Sequence, residues 1–311
     1  MKKLVVSSSP HIHSSATTNK IMLDVIIALL PAAIAGVVIF GFRALAVISV
    51  TVASAVFSEF FFNIIVKKKQ TIDDLSAIVT GLLLALNLRA DAPLWQCAIG
   101  AVFAIVVVKC LFGGIGCNFA NPAITARIFL VISFAGTIAG GAAPRIYSDA
   151  ELVSGPTPLN VIASGDPLPS MLDMFLGLRA GALGETCIAA LLLGFIYLIV
   201  RRVINFEVPI IFVGTVFLFS LVADGSLTTA TYQILSGGLV LGAVFMATDY
   251  VTTPITRMGK MVFAFGCGLI TFLIRYFGSY PEGVSYAILV MNIISPYIEK
   301  LTAPRALGGK K

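Results

Sequence analysis

The chain has 311 residues, of which 58% are hydrophobic and only 12% charged, and its formal net charge is +6. A typical soluble domain contains about 25% charged residues, so this composition argues against a soluble fold and favours an all-α polytopic membrane protein. In a membrane protein, excess lysine and arginine normally sets orientation, so no nucleic-acid partner is expected and the lipid bilayer is the predicted surroundings.

Apolar runs recur along nearly the whole chain, and each could cross or nearly cross a hydrocarbon core of about 30 Å. Because lipid offers the backbone no hydrogen-bond partner, these runs are predicted to be helices. The third run is short, and the eighth is interrupted by Gly237 and Gly238. The ten predicted spans are 21–40, 44–66, 75–88, 94–112, 122–138, 186–200, 208–222, 231–248, 261–277 and 284–299.

The distribution of basic residues predicts the orientation of these spans. An arrangement with both termini in the cytoplasm puts most lysines and arginines on the inner side, as the positive-inside rule requires. No cleavage site typical of a signal peptide follows the first apolar run. We therefore predict a multi-pass protein of the cell inner membrane with both termini cytoplasmic.

A long polar segment between the fifth and sixth spans divides the chain into two halves of five spans each, which would run in opposite senses. Gly81-Leu-Leu-Leu-Ala resembles Gly238-Leu-Val-Leu-Gly, which suggests an inverted repeat with a ligand or ion site near the midplane. The predicted regions are a cytoplasmic N-terminal segment, the first membrane half, an extracytoplasmic loop, the second membrane half and a cytoplasmic tail: 1–20, 21–138, 139–185, 186–299 and 300–311.

Charged side chains inside spans are costly and are functional candidates by default. Glu59 lies deepest and is a candidate for an ion path. Asn121 and Asp249 stand near prolines; they are predicted to cap broken helices, with ion or flavin contact as the alternative. Three other charges are predicted to anchor their spans or to reach the interface: Asp24, Lys109 and Arg275.

Neither a metal site nor a catalytic residue is predicted. The five cysteines form no C-x-x-C pair and are interpreted as small buried apolar side chains. His11 and His13 have no third ligand nearby in the sequence, so a packed or partner-contacting segment is the preferred interpretation.

The polar loop contains the run Ser154-Gly155-Pro156-Thr157-Pro158-Leu159. A threonine hydroxyl can accept a phosphoryl group when a separate enzyme supplies an activated donor. A preceding glycine lets the backbone approach a bulky group, and flanking prolines stiffen the segment. Taken alone, the run is typical of an ordinary turn.

Further motifs accompany this run in a fixed order. The motifs are Lys20–Val25, Ser76–Leu86 after Asp74, Gly113–Asn118 leading to Asn121–Ala123, Gly184–Thr186, Phe245–Asp249 and Gly278–Gly283. In order and spacing they resemble the family formed by the D subunits of Rnf complexes and the B subunits of sodium-pumping NADH:quinone reductases, from about residue 8 to 308.

The resemblance implies a specific function. Members carry FMN through a phosphoester on the threonine of a Ser/Thr-Gly-Ala-Thr motif, attached by a flavin transferase that uses FAD. Here the acceptor would be Thr157, with Ser154 and Gly155 completing the motif and Pro156 replacing the usual alanine. A second, non-covalent flavin, riboflavin, is a further expectation. The chain would then relay electrons between reduced ferredoxin and NAD⁺, with Na⁺ or H⁺ translocation, together with other membrane and peripheral subunits.

Three alternatives stay open at the sequence level. The chain could be the B subunit of a sodium-pumping NADH:quinone reductase, although the first span begins near residue 21 and that protein usually has a longer N-terminal extension. It could be an inverted-repeat transporter without a redox role. It could also only hold redox partners together.

Overall fold

The computed structural model describes residues 17–145, 154–164, 168–278 and 282–304. His11, His13 and the end of the predicted tail lie outside the described residues. The described chain is almost entirely helical, as its composition predicts, with only one small pair of strands.

The first half forms five main helices and one short helix. The Thr17 side chain caps the first of them, and Gly41, at φ 78°, makes the sharp turn into the second. Asn121 caps the fifth, with Pro122 in its first turn. The bounds are α1 Thr18–Phe40, α2 Phe42–Ile65, α3 Ser76–Leu86, α4 Leu94–Cys110, α5 Pro122–Ser133 and α6 Ala135–Ile138.

The predicted loop 139–185 is folded where the structure describes it. Its elements are β1 Gly141–Ala142, β2 Ser154–Gly155, α7 Pro158–Ser164 and α8 Met171–Leu176. The two strands pair antiparallel, with Ala142 opposite Ser154, and Ala142 also bridges to Gly181. We call residues 139–185 the connector.

The second half again forms helices, one of which is broken. The break lies at Ser236–Gly238, where α11 and α12 meet at 63°, as the glycine pair predicts. The bounds are α9 Ile188–Val200, α10 Glu207–Asp224, α11 Leu227–Leu235, α12 Leu239–Met246, α13 Arg257–Phe277 and α14 Val284–Thr302.

Two helices end in π-helical turns, which sequence periodicity does not predict. These turns are Phe103–Cys110 in α4 and Gly242–Met246 in α12. Wider turns of this kind occur often at functional sites, and residues of both turns, Lys109 and Phe245, line the same cavity.

Four described helices are long and apolar enough to cross a membrane, namely α1, α2, α10 and α13, and the bent pair α11–α12 can be counted as a fifth. Four shorter apolar helices, α3, α4, α5 and α9, accompany them. Large apolar side chains such as Ile34, Phe57 and Val222 are exposed on the outside of the bundle. The protein is therefore a multi-pass membrane protein.

The bundle has two distinct ends. The one we call the basic end contains Lys67–Lys69 after α2 and Arg201 after α9, and here Arg201 pairs with Asp24 of α1 at 3.1 Å. The one we call the loop end bears the connector. Within the halves α2 packs against α3 and α4, and α10 against α13, while α1 packs against α9 between the halves.

Candidate functional site

Thr157, the predicted attachment residue, begins α7 in the connector. Its side chain is only 3% exposed. The hydroxyl oxygen accepts a hydrogen bond from Asn160 N at 3.4 Å, so Thr157 acts as the N-cap of this short helix. Pro158 follows at the first helical position, where the missing N–H has no cost. Two residues before Thr157, Gly155 pairs with Gly141 in the short antiparallel strand pair.

Thr157 lines a cavity of about 290 Å³ near the loop end, which we call the outer cavity. Ligand pockets usually begin at about 300 Å³ and combine apolar walls with a few placed polar groups. The apolar wall consists of Ile128, Val131 and Ile138. Polar side chains come from four separate parts of the chain: Asn87, Arg127, Thr157 with Asn160, and Glu282 with Ser285.

Arg127 organises the polar side of the outer cavity. Its guanidinium donates hydrogen bonds to Asn87 Oδ1 at 2.8 Å and to Ser285 Oγ at 3.3 Å, and it forms an ion pair with Glu282. The Glu282 side chain keeps 24% exposure. Burial nevertheless raises the pKa of Glu282 to about 7, because desolvation of the carboxylate outweighs the opposing effect of Arg127.

Two further buried charges, Arg179 and Glu185, lie close to this group. Arg179 donates a hydrogen bond to the Glu185 carbonyl oxygen at 2.8 Å. Glu185 Oε1 accepts one from Ala182 N at 3.0 Å, whereas Glu185 Oε2 has no partner among the described groups. That free oxygen lies 3.0 Å from the position a Cβ on Gly238 would take, beside the first turn of α12.

The connector packs directly on the α11–α12 break. Leu159 is 5% exposed, and its Cδ1 lies 2.9 Å from the position a Cβ on Gly237 would take. Arg275 donates to the carbonyl oxygens of Gln233 at 2.6 Å and Ser236 at 3.1 Å. Arg275 thus satisfies carbonyls that the broken helix leaves free, while the prediction that it anchors its span or reaches the interface stays a prediction.

A second cavity, of about 110 Å³, lies between the two halves toward the basic end, and we call it the inner cavity. Asn121 lines it and accepts hydrogen bonds from Ala123 N and Ile124 N at 3.1 and 3.3 Å, which confirms its predicted cap. Its other polar side chains are Ser76, Thr80, Lys109, Asn118, Thr248, Asp249 and Tyr250.

Asp249 lines the same cavity but caps a turn rather than a helix. Its carboxylate accepts hydrogen bonds from Val251 N at 3.3 Å and from the Thr252 hydroxyl at 3.2 Å. Burial raises the pKa of Asp249, against the lowering effect of these two donors. Ion or flavin contact by Asn121 and Asp249 stays a prediction, and the structure puts both residues on one cavity.

Glu59 does not line either cavity. It is 1% exposed and pairs with Lys109 at 2.8 Å, while Thr71 donates to its other oxygen at 2.6 Å. Lys109 also donates to Ser76 Oγ at 2.6 Å. The prediction that Lys109 reaches the interface is wrong, since this ammonium is buried and paired, and the Glu59 ion-path prediction now concerns a carboxylate with both oxygens bonded.

Several residues of the outer cavity received no role from the sequence, namely Asn87, Arg127, Glu282 and Ser285. Glu282 stands in the Gly278–Gly283 motif, and Arg127 is a charge within a predicted span, which is a functional signal in itself. Their convergence could not be predicted, because nearly two thirds of the chain separates Asn87 from Ser285.

A helical bundle with apolar outer faces and two internal cavities defines a multi-pass membrane protein. The model of the NQR2, RnfD, RnfE family matches residues 5–308, and the chain belongs to that family. The resemblance inferred from the motifs is thereby confirmed.

Similar proteins are members of ion-translocating complexes. The D subunit of the Na(+)-translocating ferredoxin:NAD(+) oxidoreductase complex of Acetobacterium woodii is 45% identical, with 99% of this chain and 96% of the relative aligned. The D subunit of the proton-translocating ferredoxin:NAD(+) oxidoreductase complex of Clostridium ljungdahlii is 39% identical over 98% and 96%. The D subunit of the ion-translocating oxidoreductase complex of Escherichia coli is 32% identical over 98% and 99%.

Proposed function

We propose that this chain is the flavin-carrying D subunit of an Rnf-type ion pump in the membrane. It relays electrons between reduced ferredoxin and NAD⁺, and the complex couples this transfer to translocation of Na⁺ or H⁺. Support comes from relatives whose names give ferredoxin:NAD(+) oxidoreduction and ion translocation, and from one observation in the structure: Thr157 lines a cavity with both apolar and hydrogen-bonding walls.

The residues of the outer cavity suit an FMN attached at Thr157. Ile128 and Val131 offer apolar contact for a ring face, while Asn87, Asn160 and Arg127 offer donors and acceptors at its edge. A bound flavin supplies an acceptor and donor for one or two electrons. The chain itself holds and orients the group and shields it from water.

Attachment is a phosphoryl-group transfer catalysed by a separate flavin transferase. The Thr157 oxygen bonds to the phosphorus of the FMN part of FAD, the pyrophosphate bond breaks, and AMP leaves. The hydroxyl proton passes to a base of the transferase. Ser154 and Gly155 complete the recognised run, and Pro156 departs from the family's alanine without changing the acceptor.

The inner cavity would have to widen to hold the proposed second, non-covalent flavin such as riboflavin, because its volume of about 110 Å³ is below that of usual ligand pockets. Its walls are mostly apolar, with amide and hydroxyl groups from Asn118, Asn121 and Thr80. Asn118 Oδ1 is buried without a hydrogen-bond partner among the described residues, so a bound ligand could donate a hydrogen bond to it.

We further propose ten spans arranged as an inverted repeat of five plus five. Supporting this, the second helix of each half packs on the fourth, α2 on α4 and α10 on α13, and the two first helices α1 and α9 pack on each other. The third position is irregular in both halves, with the short α3 and the broken α11–α12. Both termini and the basic end face the cytoplasm of an inner-membrane protein, and the connector faces outward.

The proposed partners follow from this assignment. They are the other membrane and peripheral subunits of the complex, the flavin transferase and the lipid bilayer. The alternatives are the B subunit of a sodium-pumping NADH:quinone reductase, a transporter without a redox role, and a scaffold for redox partners.

The first test is whether Thr157 carries FMN. The chain is co-produced with a flavin transferase, denatured and viewed in a gel under ultraviolet light, and the Thr157 peptide is weighed by mass spectrometry. We expect fluorescence and the mass of one FMN in the native chain, none in Thr157→Ala, and retention in Thr157→Ser, which keeps the hydroxyl. A dark native band would favour the transporter. Unchanged activity of a complex containing Thr157→Ala would favour the scaffold.

A further inference from the structure

The proposed acceptor hydroxyl is closed off in the described structure. Thr157 is 3% exposed, and its oxygen already accepts the capping hydrogen bond from Asn160 N. Thr157 also lines the outer cavity, whose other lining residues come from α5, α14, the connector and Asn87.

Phosphoryl transfer requires more room than this cavity provides. The attacking and leaving oxygens must be roughly in line through the phosphorus, so the AMP part of FAD would lie on the far side of the phosphorus from Thr157. In the docked connector, Thr157 shares the outer cavity with residues of α5 and α14, and the transferase must enclose the same threonine.

We infer that the flavin transferase modifies the segment 154–164 only when it is released from the bundle, and that docking follows attachment. This inference rests on the proposed attachment of FMN at Thr157. It identifies the transferase's substrate as an extended peptide rather than the folded surface.

Among the described residues, the segment contacts the rest of the chain near the loop end, so we expect its release to leave the long helices in place. One contact is the two-residue pairing of β2 with β1. Another is Leu159, which packs against Gly237 at the α11–α12 break. Both lie at the loop end, away from the middle of the long helices α1, α2, α10 and α13.

A reversible disulfide that fixes the segment 154–164 in its docked position tests the inference. A Cβ on Gly155 would lie 3.7 Å from Ala143 Cβ, close to the roughly 3.8 Å typical of disulfides. The full-length double variant Ala143→Cys/Gly155→Cys is produced without transferase, purified in nanodiscs, and oxidised or reduced. Purified transferase and FAD are then added, and the rate of covalent fluorescence is measured.

We expect the oxidised double variant to be modified at least about tenfold more slowly than the same protein after reduction. The two single-cysteine variants should respond little to the oxidant. Equal rates for the oxidised and reduced double variant would overturn the inference while leaving the proposed attachment intact. Absence of label on the native chain would overturn both.

A second variant weakens the docking of the segment 154–164 without changing the sequence of that segment. Gly237→Ala puts a Cβ where Leu159 packs, and should raise the modification rate severalfold. Gly225→Ala is the matched control, because it has nearly the same φ, 63° against 64°, and nothing within 4 Å of the added Cβ. Equal rates for these two variants would also contradict the inference.

Discussion

Lys109 and Glu59 form an ion pair that is almost completely removed from solvent, with 3% and 1% exposure. Such a pair is costly to bury and contributes little net stability, yet removal of one partner leaves an uncompensated buried charge. Here Thr71 and Ser76 satisfy further bonds of both groups. The network joins the end of α2, the start of α3 and the end of α4.

Glu59→Gln should therefore destabilise the protein by about 3–5 kcal/mol, measured by chemical unfolding in mixed micelles. Glu207→Gln is the matched control, since it breaks the Arg257 pair, whose arginine side chain is 73% exposed, and should cost less than about 1 kcal/mol. Glu59→Met alone should be destabilising in the same way, and adding Lys109→Met to it should recover much of the lost stability, because no unpaired charge then stays buried. Similar costs for Glu59→Gln and Glu207→Gln would contradict this account of the network.

Single residues were predictable when their partners are local. Asn121 beside Pro122 indicates a helix start, and the cap is present. Lys109 was not predictable, because its partner Glu59 is 50 residues away and only packing of α2 on α4 brings the two together. Long-range pairing of this kind leaves no periodic trace in one sequence.

Elements were predicted well where apolar runs and glycines mark them. The short α3 and the break at Gly237–Gly238 both follow from the pattern. The π-helical turns of α4 and α12 do not, because a wider turn shifts the periodicity by a single residue.

The packing of α1 on α9 depends on glycine. A Cβ on Gly194 would lie 2.2 Å from the Ala28 carbonyl oxygen, so Gly194→Ala must separate the helices and should cost about 1–3 kcal/mol. Gly214→Ala in α10 is the matched control, with nothing within 4 Å of the new Cβ, and should be neutral or stabilise by up to about 1 kcal/mol. Unfolding in mixed micelles measures both, and equal stability of the two variants would show that α1 and α9 are not in close contact.

At the scale of the whole molecule, the ten-span arrangement predicts the side on which each end lies. In a chain whose native cysteines are replaced by serine, Ser170→Cys should react with an impermeant maleimide on intact cells. Lys68→Cys, after two spans, and Lys311→Cys, at the end of the tail, should react only after permeabilisation. Labelling of Lys68→Cys or Lys311→Cys on intact cells would refute the arrangement.

The connector is where the sequence was least informative about the fold. Its prolines and polar residues indicate a loop, yet β1, β2 and α7 fold onto the bundle and bury Thr157 and Leu159. This burial arises because Leu159 packs against Gly237 and Gly155 pairs with Gly141, and both partners are distant from the segment in sequence. The motif identified the residue, and only the structure gives its surroundings.

The shortness of α3 has an electrical consequence. Leu83 touches the inner cavity and Asn87 the outer one, so at about 1.5 Å per residue only about 6 Å of helix axis separates the two chambers. Carriers seated in both would face each other across one turn of protein instead of a whole bilayer. An electron would then need only one short hop to pass between carriers held toward opposite ends of the bundle.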